Sequence, residues 1–336
     1  MNPSLGALFG IHASERSCIN ERKLSSTICS VSSRQSLHFI LCTVFFGFLW
    51  PLHLAAGSFP VLVDGNWLVN NKTHVVLDVR TRDEYTSGHW PQSRWAGFKE
   101  LDWQVKRYGL PGYLPNEKQL STLLGGLGLQ GSEAIVVIGS AQHPERIAEA
   151  ARIIWSLMMA GFQQVALLDG GIESLSVDVL VTEDPVVNPT VCSINLQQQY
   201  LADSLRVEGM LDDNGIVVDF RPTLYFEGYK RNSLVPMPGT ILDAFGFPPK
   251  RLLEKKTGKF LSPDKIRLEL EHYDISVKTA IATFGDTGVW GALGWFALHQ
   301  ILENPKARLY DGSMVEWIDR GNEVHDSTDD MGGPIG

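Results

Sequence analysis

A glycine-rich turn between a predicted strand and a predicted helix carries the most distinctive chemistry of this sequence. The strand covers residues 279–284, the turn reads Gly-Asp-Thr-Gly over residues 285–288, and a helix is predicted for residues 292–302. The backbone N–H groups of such a turn can cradle an anion around a nucleophile. The turn itself contains no cysteine, serine or histidine. The pattern therefore predicts an anion cradle that lacks its reacting side chain.

A second loop that could hold a nucleophile and a base lies in the first half of the chain. Ser140 and His143 are close in sequence there, which is one requirement for a hydroxyl activated by an imidazole. No acid that would orient His143 is identifiable, and Pro144 suits an ordinary helix start. A solvated loop before a helix is the simpler interpretation, and we favour it.

The cysteines give one further candidate nucleophile. Cys18, Cys29 and Cys42 lie in the N-terminal region, and Cys192 is the only other cysteine of the chain. Cys192 falls in a predicted linker, without a glycine-rich cradle or a neighbouring cation. We interpret it as a buried or tolerated thiol rather than a persulfide carrier. One remaining cysteine also excludes an internal disulfide once the N-terminal region is removed.

The elements that position these groups follow the same pattern twice. In each half, three short apolar strands and one apolar helix alternate, and two of the strands end in aspartate. The spacing from Asp78 to Asp169 is 91 residues, and the spacing from Asp219 to Asp311 is 92 residues. This near-equality indicates a duplication, and alternating strands and helices predict parallel sheets. The expected strands cover residues 74–79, 134–138, 164–168, 215–220, 279–284 and 307–310, with a helix at residues 146–160 in the first half.

The segment 78–91, which reads DVRTRDEYTSGHWP, resembles the signature of rhodanese domains. Segments 260–264, 288–289 and 307–317 resemble the C-terminal domain of tandem thiosulfate or 3-mercaptopyruvate sulfurtransferases. The resemblance covers about residues 60–320. It implies an α/β fold of two tandem rhodanese-like domains, each a mainly parallel central sheet flanked by helices. The residues that match the motifs are Asp78, Arg80, Glu84, His89, Asp219, Arg221, Asp311, Glu316 and Trp317.

The same resemblance exposes a specific loss. In that family a cysteine three residues before a Gly-Val pair carries the persulfide, and the corresponding residue here is Gly285. The carboxylate of Asp286 would repel thiosulfate or mercaptopyruvate, and Trp290 is bulky where the family has a small or polar residue. The histidine expected before Pro238 is also absent. We therefore interpret one segment as a degenerate active-site loop, made of Gly285, Asp286, Thr287, Gly288, Val289 and Trp290.

The domain organisation has an expected leader and an expected tail. An apolar run at residues 39–50 follows Arg34 and His38 and precedes the small residues 55–57. Twelve residues is short for a membrane span, which needs about 20, so the pattern favours an export signal. A periplasmic or secreted protein is expected, with an uncleaved membrane anchor as the lesser possibility. The expected divisions are a signal-peptide region at 1–57, domains at 58–177 and 196–322, a linker at 178–195 and an acidic tail at 323–336.

Composition limits the partners. The chain of 336 residues has a formal net charge of −9 and an isoelectric point near 5.5, which argues against nucleic acid and anionic membranes. Neither a cysteine pair nor a His-x-x-x-His helix suggests a metal, and no cofactor is expected. The sequence favours an exported, catalytically degenerate protein that binds or scaffolds an unknown partner protein or a small anion. No stable membrane insertion is expected after the leader is removed. The alternative is a sulfurtransferase that uses Cys192 or a partner's thiol.

Overall fold

A computed structural model of the protein describes residues 59–213 and 215–326. The region before residue 59, where the export signal was predicted, lies outside the described residues. The first half of the described chain alternates strands with helices, and a short hairpin of two strands interrupts this order. Its elements are β1 Leu62–Val63, α1 Gly65–Asn70, β2 Val75–Asp78, α2 Arg82–Ser87, β3 Arg94–Trp95, β4 Val105–Arg107, β5 Leu110–Tyr113, α3 Glu117–Gly126, β6 Ile135–Ile138, α4 Pro144–Met159 and β7 Val165–Leu168.

The second half repeats this alternation and adds a short antiparallel pair. The elements are β8 Leu201–Ala202, α5 Ser204–Asp212, β9 Ile216–Asp219, α6 Thr223–Phe226, β10 Thr240–Ile241, β11 Phe245–Gly246, α7 Pro263–His272, β12 Ile281–Phe284, α8 Val289–Trp295, β13 Ala307–Tyr310, α9 Ser313–Asp319 and β14 Val324–His325. The helix that begins as α8 continues as a wider π-helical segment over Phe296–Ile301. The predicted helix at 292–302 therefore begins three residues earlier than expected.

Two five-stranded parallel sheets form the scaffold. The first has the strand order β1-β7-β6-β2-β3, and the second has the order β11-β9-β12-β13-β8. Read from the opposite edge, the second order matches the first strand for strand, and every pairing in both sheets is parallel. The predicted duplication and the predicted α/β class with parallel sheets are confirmed. Both sheets lie within one compact unit.

Apolar strands and one long apolar helix explain the core. The central strands β6 and β12 are buried along their whole length, as expected when helices cover both faces of a parallel sheet. Helix α4 of the first half packs against α8 of the second half. Trp155 on α4 and Trp295 on α8 are fully buried, so the two halves share one continuous apolar core.

Three details differ from or extend the sequence-based expectations. The hairpin of β4 and β5 was not predicted, because its residues lack strong apolar alternation. The expected acidic tail begins with an ordered strand, since β14 pairs antiparallel with β10. A short 3₁₀ helix, Val177–Val179, crosses the start of the expected linker at residues 178–195. Over residues 59–213 and 215–326, no helix is both long and apolar enough to cross a bilayer.

Candidate functional site

The 285–288 loop lies at the carboxyl end of β12 and leads into α8, and all its residues are buried. Gly288 has a φ of 78°, a left-handed conformation that favours glycine. The start of α9 fixes the other end of the loop. The Met314 N–H donates to the Gly285 carbonyl over 3.0 Å, and the Gly285 N–H donates to Ser313 Oγ over 3.2 Å. The loop is therefore an enclosed and well-anchored turn.

The position predicted to replace the family's cysteine has no room for a side chain. A Cβ atom added to Gly285 would lie 2.8 Å from the Cβ of Trp290 and 3.2 Å from the Gly291 nitrogen. Carbon atoms pack at about 3.5–4.0 Å, so any side chain at residue 285 requires Trp290 to move. The glycine and the bulky tryptophan are thus complementary.

Asp286 directs its carboxylate to a buried cation rather than to solvent. The side chain is only 4% exposed. Arg221 Nη1 lies 3.2 Å from Asp286 Oδ1, and Asn232 Nδ2 donates to Asp286 Oδ2 over 3.3 Å. Arg221 also binds Asp219, with Nη2 at 2.6 Å from Oδ2. Two carboxylates therefore share one guanidinium beside the loop.

The electrostatics of this cluster disfavour an incoming anion. Burial raises the pKa of Asp286, and Asp219 adds to the increase, whereas Arg221 opposes it. When both carboxylates are ionised, the three side chains carry a formal charge of −1. A buried negative charge repels a second anion more strongly than an exposed one would, because water screens it less. The cluster thus suits an internal ion pair better than a site for thiosulfate.

The first half of the chain covers the 285–288 loop. Gln104 Nε2 donates to the Thr287 carbonyl over 2.6 Å and to the Gly112 carbonyl over 2.8 Å. Gly112, in β5, has a φ of 98°, and a Cβ there would lie 2.6 Å from the Thr287 Cβ. Only a glycine allows the hairpin to approach this closely. The loop is therefore enclosed by the hairpin as well as by its own domain.

A buried ion pair also joins the two halves beneath this loop. Arg152, on α4, is fully buried, and its Nη2 lies 2.5 Å from Asp311 Oδ1. The other carboxylate oxygen of Asp311 accepts from the Leu114 N–H over 2.8 Å. A Cβ at Gly288 would collide with Arg152 Nη1. Asp311 therefore anchors the second sheet to the first half, and the guanidinium fills the space behind the loop.

The loop of the first domain that holds Ser140 already binds a carboxylate of its own. Ser140 Oγ donates to Glu173 Oε1 over 2.6 Å, and the Ala141 N–H donates to Glu173 Oε2 over 2.8 Å. Within the described residues, no hydrogen bond joins Ser140 to His143, which is exposed at the start of α4. The geometry supports the structural interpretation of this loop over a nucleophile–base pair.

Cys192 is buried in the first domain, near α3. Ser121 Oγ donates to the Cys192 carbonyl over 2.6 Å. Burial, with a smaller contribution from Glu133, raises the pKa of the Cys192 thiol to about 11. A thiol with this pKa is almost entirely protonated at neutral pH, and the protonated form is a poor nucleophile.

The motif residues of the first domain form hydrogen bonds and an ion pair that stabilise its fold. Arg80 Nη2 lies 2.6 Å from Asp78 Oδ2 and donates to the Gly88 carbonyl over 2.8 Å. His89 Nδ1 lies 2.9 Å from the Tyr85 carbonyl. These contacts tie the carboxyl end of β2 to the turn after α2.

Glu84 serves the same part of the first domain. It accepts from the Thr81 N–H over 2.9 Å and closes a capping box at the start of α2. It also pairs with Arg146 of α4, so it connects two helices.

The motif residues near the end of the chain also have structural contacts. Trp317 Nε1 donates to the Glu323 carbonyl over 2.8 Å. Glu316 Oε1 lies 4.0 Å from Arg320 Nη1. Burial raises the pKa of Glu316. The side chains of both residues lie on α9, whose first turn supports the 285–288 loop.

Sequence reasoning missed the groups that enclose the loop, namely Gln104, Gly112 and Arg152. A signal for Arg152 was present, because a lone charged residue within the apolar run IIWSLMM and its flanking alanines requires a buried partner. That partner, Asp311, belongs to the other half of the chain and follows from no local pattern. Among the described residues, no group of three or more His, Cys, Asp or Glu is placed to hold a metal ion.

Comparison with known proteins shows which proteins this chain is similar to. The rhodanese-like domain matches residues 66–177. Thiosulfate/3-mercaptopyruvate sulfurtransferase 2 of Arabidopsis thaliana is 21% identical, covering 81% of this chain and 83% of its own. Sulfur carrier protein TtuD of Thermus thermophilus is 24% identical, covering 76% and 93% of the two chains.

A solved structure extends the similarity to the fold of both halves. The anaerobic ergothioneine biosynthesis enzyme from Chlorobium limicola, in complex with trimethyl histidine, has a TM-score of 0.70 at 20% identity. The alignment covers 82% of this chain and 71% of that one. At this identity the likeness concerns the fold alone. The matched domain shows that residues 66–177 form a rhodanese-like domain, and the related sulfurtransferases and the two equivalent parallel sheets support a tandem rhodanese-like protein of the sulfurtransferase family.

Proposed function

We propose that this chain is a catalytically degenerate member of its family, which acts as an exported binding or scaffolding module. The observation that carries the proposal is the 285–288 loop. Gly285 offers no thiol, and the carboxylate of Asp286 pairs with a buried cation beside the loop, Arg221, at 3.2 Å. A persulfide carrier needs a thiolate stabilised by positive surroundings, and this loop supplies neither group.

Of the two expected ligand classes, a partner protein is favoured over a small anion at this loop. The loop is buried, the hairpin of β4 and β5 covers it, and its own carboxylate adds negative charge. An anion would have to displace Gln104 and enter beside Asp286. A partner protein can instead use outer surfaces of the two domains and leave the loop closed.

Sulfur transfer remains the second candidate function, because the relatives include a named sulfurtransferase and a named sulfur carrier. Two routes would be open to it: a persulfide on Cys192, or a thiol supplied by a partner. The burial of Cys192 and its pKa of about 11 argue against the first route. The second route would use the domains only to position the partner.

A thiosulfate:cyanide assay on the full chain tests the proposal, with thiocyanate formation as the readout. The wild-type protein and the Cys192→Ser variant are expected to produce no thiocyanate above the uncatalysed background. Wild-type turnover that Cys192→Ser abolishes would overturn the proposal and establish Cys192 as a sulfur carrier. Turnover that survives in Cys192→Ser would also overturn it and would require a different nucleophile.

Export is the second part of the proposal and rests on the apolar run at residues 39–50. Mass spectrometry of the protein recovered from its own cells locates its N-terminus. A mature chain that begins near residue 58 is the expected result. A chain that retains residues 39–50 would instead support the membrane-anchor alternative.

A further inference from the structure

A cavity in the first domain lies apart from the 285–288 loop and shares no lining residue with it. Helix α1, the start of β2, the turn before β3 and the segment 185–187 form its walls. Its volume is about 550 Å³. Sites for small molecules typically enclose about 300–1,000 Å³, so the cavity has the size of a ligand site. We call it the α1 cavity.

The charged lining of the α1 cavity is wholly basic. Lys72 and Arg94 line it together with His74, and no aspartate or glutamate does. The chain as a whole has a net charge of −9, and this basic lining contrasts with that overall charge. Clefts lined by charge of one sign concentrate ligands of the opposite sign. The lining therefore selects for an anion.

The two cations that line the cavity keep their charge available to a ligand. Within the described residues, neither Lys72 nor Arg94 forms a salt bridge with a carboxylate. Glu133, which acts electrostatically on Arg94, instead accepts from the Gln130 N–H over 2.7 Å. The buried Nδ1 atom of His74 has no hydrogen-bond partner among the described residues. This nitrogen is shielded from solvent, so the recognition of an anion in the cavity rests on Lys72 and Arg94.

One contact fixes the guanidinium of Arg94 in place. Its Nη1 donates to the Leu127 carbonyl over 2.8 Å. A cation held by a backbone carbonyl loses little further freedom on binding, which favours affinity.

The rest of the lining is apolar and partly open. Leu68 is almost fully buried at the base, and the half-buried ring of Trp90 forms one wall. Val186 stands at the rim and is 90% exposed, so a bound ligand can cover it. Burial of apolar surface favours a ligand with an apolar body over an inorganic ion.

We propose that the α1 cavity binds a small organic anion, with a carboxylate or sulfonate group on a flat apolar body. Lys72 and Arg94 neutralise the anionic group. Trp90 and Leu68 contact the apolar body. The site is independent of the 285–288 loop, so it does not require the loop to be inactive.

A fluorescence titration with 8-anilinonaphthalene-1-sulfonate tests the proposal, and its uncharged parent, N-phenyl-1-naphthylamine, serves as the counter-probe. The sulfonate is expected to bind with one-to-one stoichiometry. The uncharged parent is expected to bind at least tenfold more weakly. Lys72→Gln and Arg94→Gln are each expected to weaken binding about tenfold, because each removes a charge-assisted contact. Lys265→Gln, an exposed position in the second domain, controls for a general loss of charge.

A variant at the exposed rim of the cavity, with a matched control, tests the site without altering buried residues. Val186→Asp places a carboxylate at the rim and is expected to weaken sulfonate binding about tenfold. Val191→Asp makes the same change at an 87% exposed valine of the same segment, outside the cavity lining, and is expected to leave the affinity unchanged. Equal affinity in wild type and Val186→Asp, or equally tight binding of the uncharged parent, would overturn the proposal.

Discussion

Asp286 Oδ1 lies 3.2 Å from Arg221 Nη1, in a site where Arg221 already binds Asp219. The carboxylate next to Gly285 is thus an internal counter-ion, held within the protein by a residue that the resemblance had identified only as a motif position. The charge of the carboxylate in the loop is therefore paired within the protein. This arrangement also leads to a measurable pH dependence.

We expect Asp286→Asn to make the protein more stable at pH 7 and to have little effect near pH 3. Burial raises the pKa of Asp286 in the folded state, so the folded state binds this proton more tightly than the unfolded state does. The stability of the wild type therefore falls, relative to the variant, as the pH rises through the raised pKa. The variant should therefore gain stability at pH 7 and gain none below the pKa of the unfolded state.

Urea unfolding at both pH values measures this difference. Asp264→Asn, at a carboxylate whose side chain is 92% exposed, is the control and should change stability little at either pH. A variant Asp286→Asn that is less stable than wild type at pH 7 would show that the attraction to Arg221 outweighs the cost of burial.

The close approach of Gly285 and Trp290 gives a second prediction. We expect Gly285→Ala to cost about 1–3 kcal/mol, because the new methyl group overpacks the site. The cost should be smaller in a Trp290→Gly background, where the opposing Cβ is absent. A double-mutant cycle by urea unfolding measures this coupling. Gly209→Ala, at a helical glycine with open space around it, should be neutral or stabilising. Additive effects of Gly285→Ala and Trp290→Gly would contradict the account.

A thiol introduced into the loop should be poorly activated. In the variant Gly285→Cys/Trp290→Gly, the carboxylate of Asp286 raises the thiol pKa by repelling the thiolate. Adding Asp286→Asn should increase the rate of alkylation at pH 7 roughly tenfold, as expected for a change of about one pKa unit. Iodoacetamide kinetics followed by peptide mapping measure the rate. Equal rates with and without Asp286→Asn would mean that Arg221 fully neutralises Asp286.

The ion pair between Arg152 and Asp311 should be essential for the contact between the two halves. We expect Arg152→Met to cost about 3–5 kcal/mol, because it leaves a carboxylate buried without its cation. Adding Asp311→Asn should recover part of this loss, since the amide oxygen still accepts from the Leu114 N–H. Arg267→Met, at an exposed pair, should cost less than about 1 kcal/mol. A mild effect of Arg152→Met in urea unfolding would contradict a structural role for the pair.

The sequence predicted the parts of this protein that follow from local patterns. The strands at 135–138 and 165–168 were recognisable from their continuous apolar residues. The two-residue strand β3 was not, because it forms through pairing with β2 rather than through its own composition. The predicted replacement of the family's cysteine by Gly285 follows from counting back from the Gly-Val pair. The pairing of Asp286 with Arg221 could not be predicted, because 65 residues separate the two along the chain.

Intact-mass spectrometry after incubation with thiosulfate or 3-mercaptopyruvate decides whether the protein can carry sulfur. We expect the wild-type protein to gain no sulfur atom on Cys192, the only cysteine outside the predicted leader. Peptide mapping assigns any adduct to its residue, and Cys192→Ser provides the matched control. A wild-type protein that gains one sulfur atom on Cys192, lost in Cys192→Ser and released by cyanide as thiocyanate, would contradict the account.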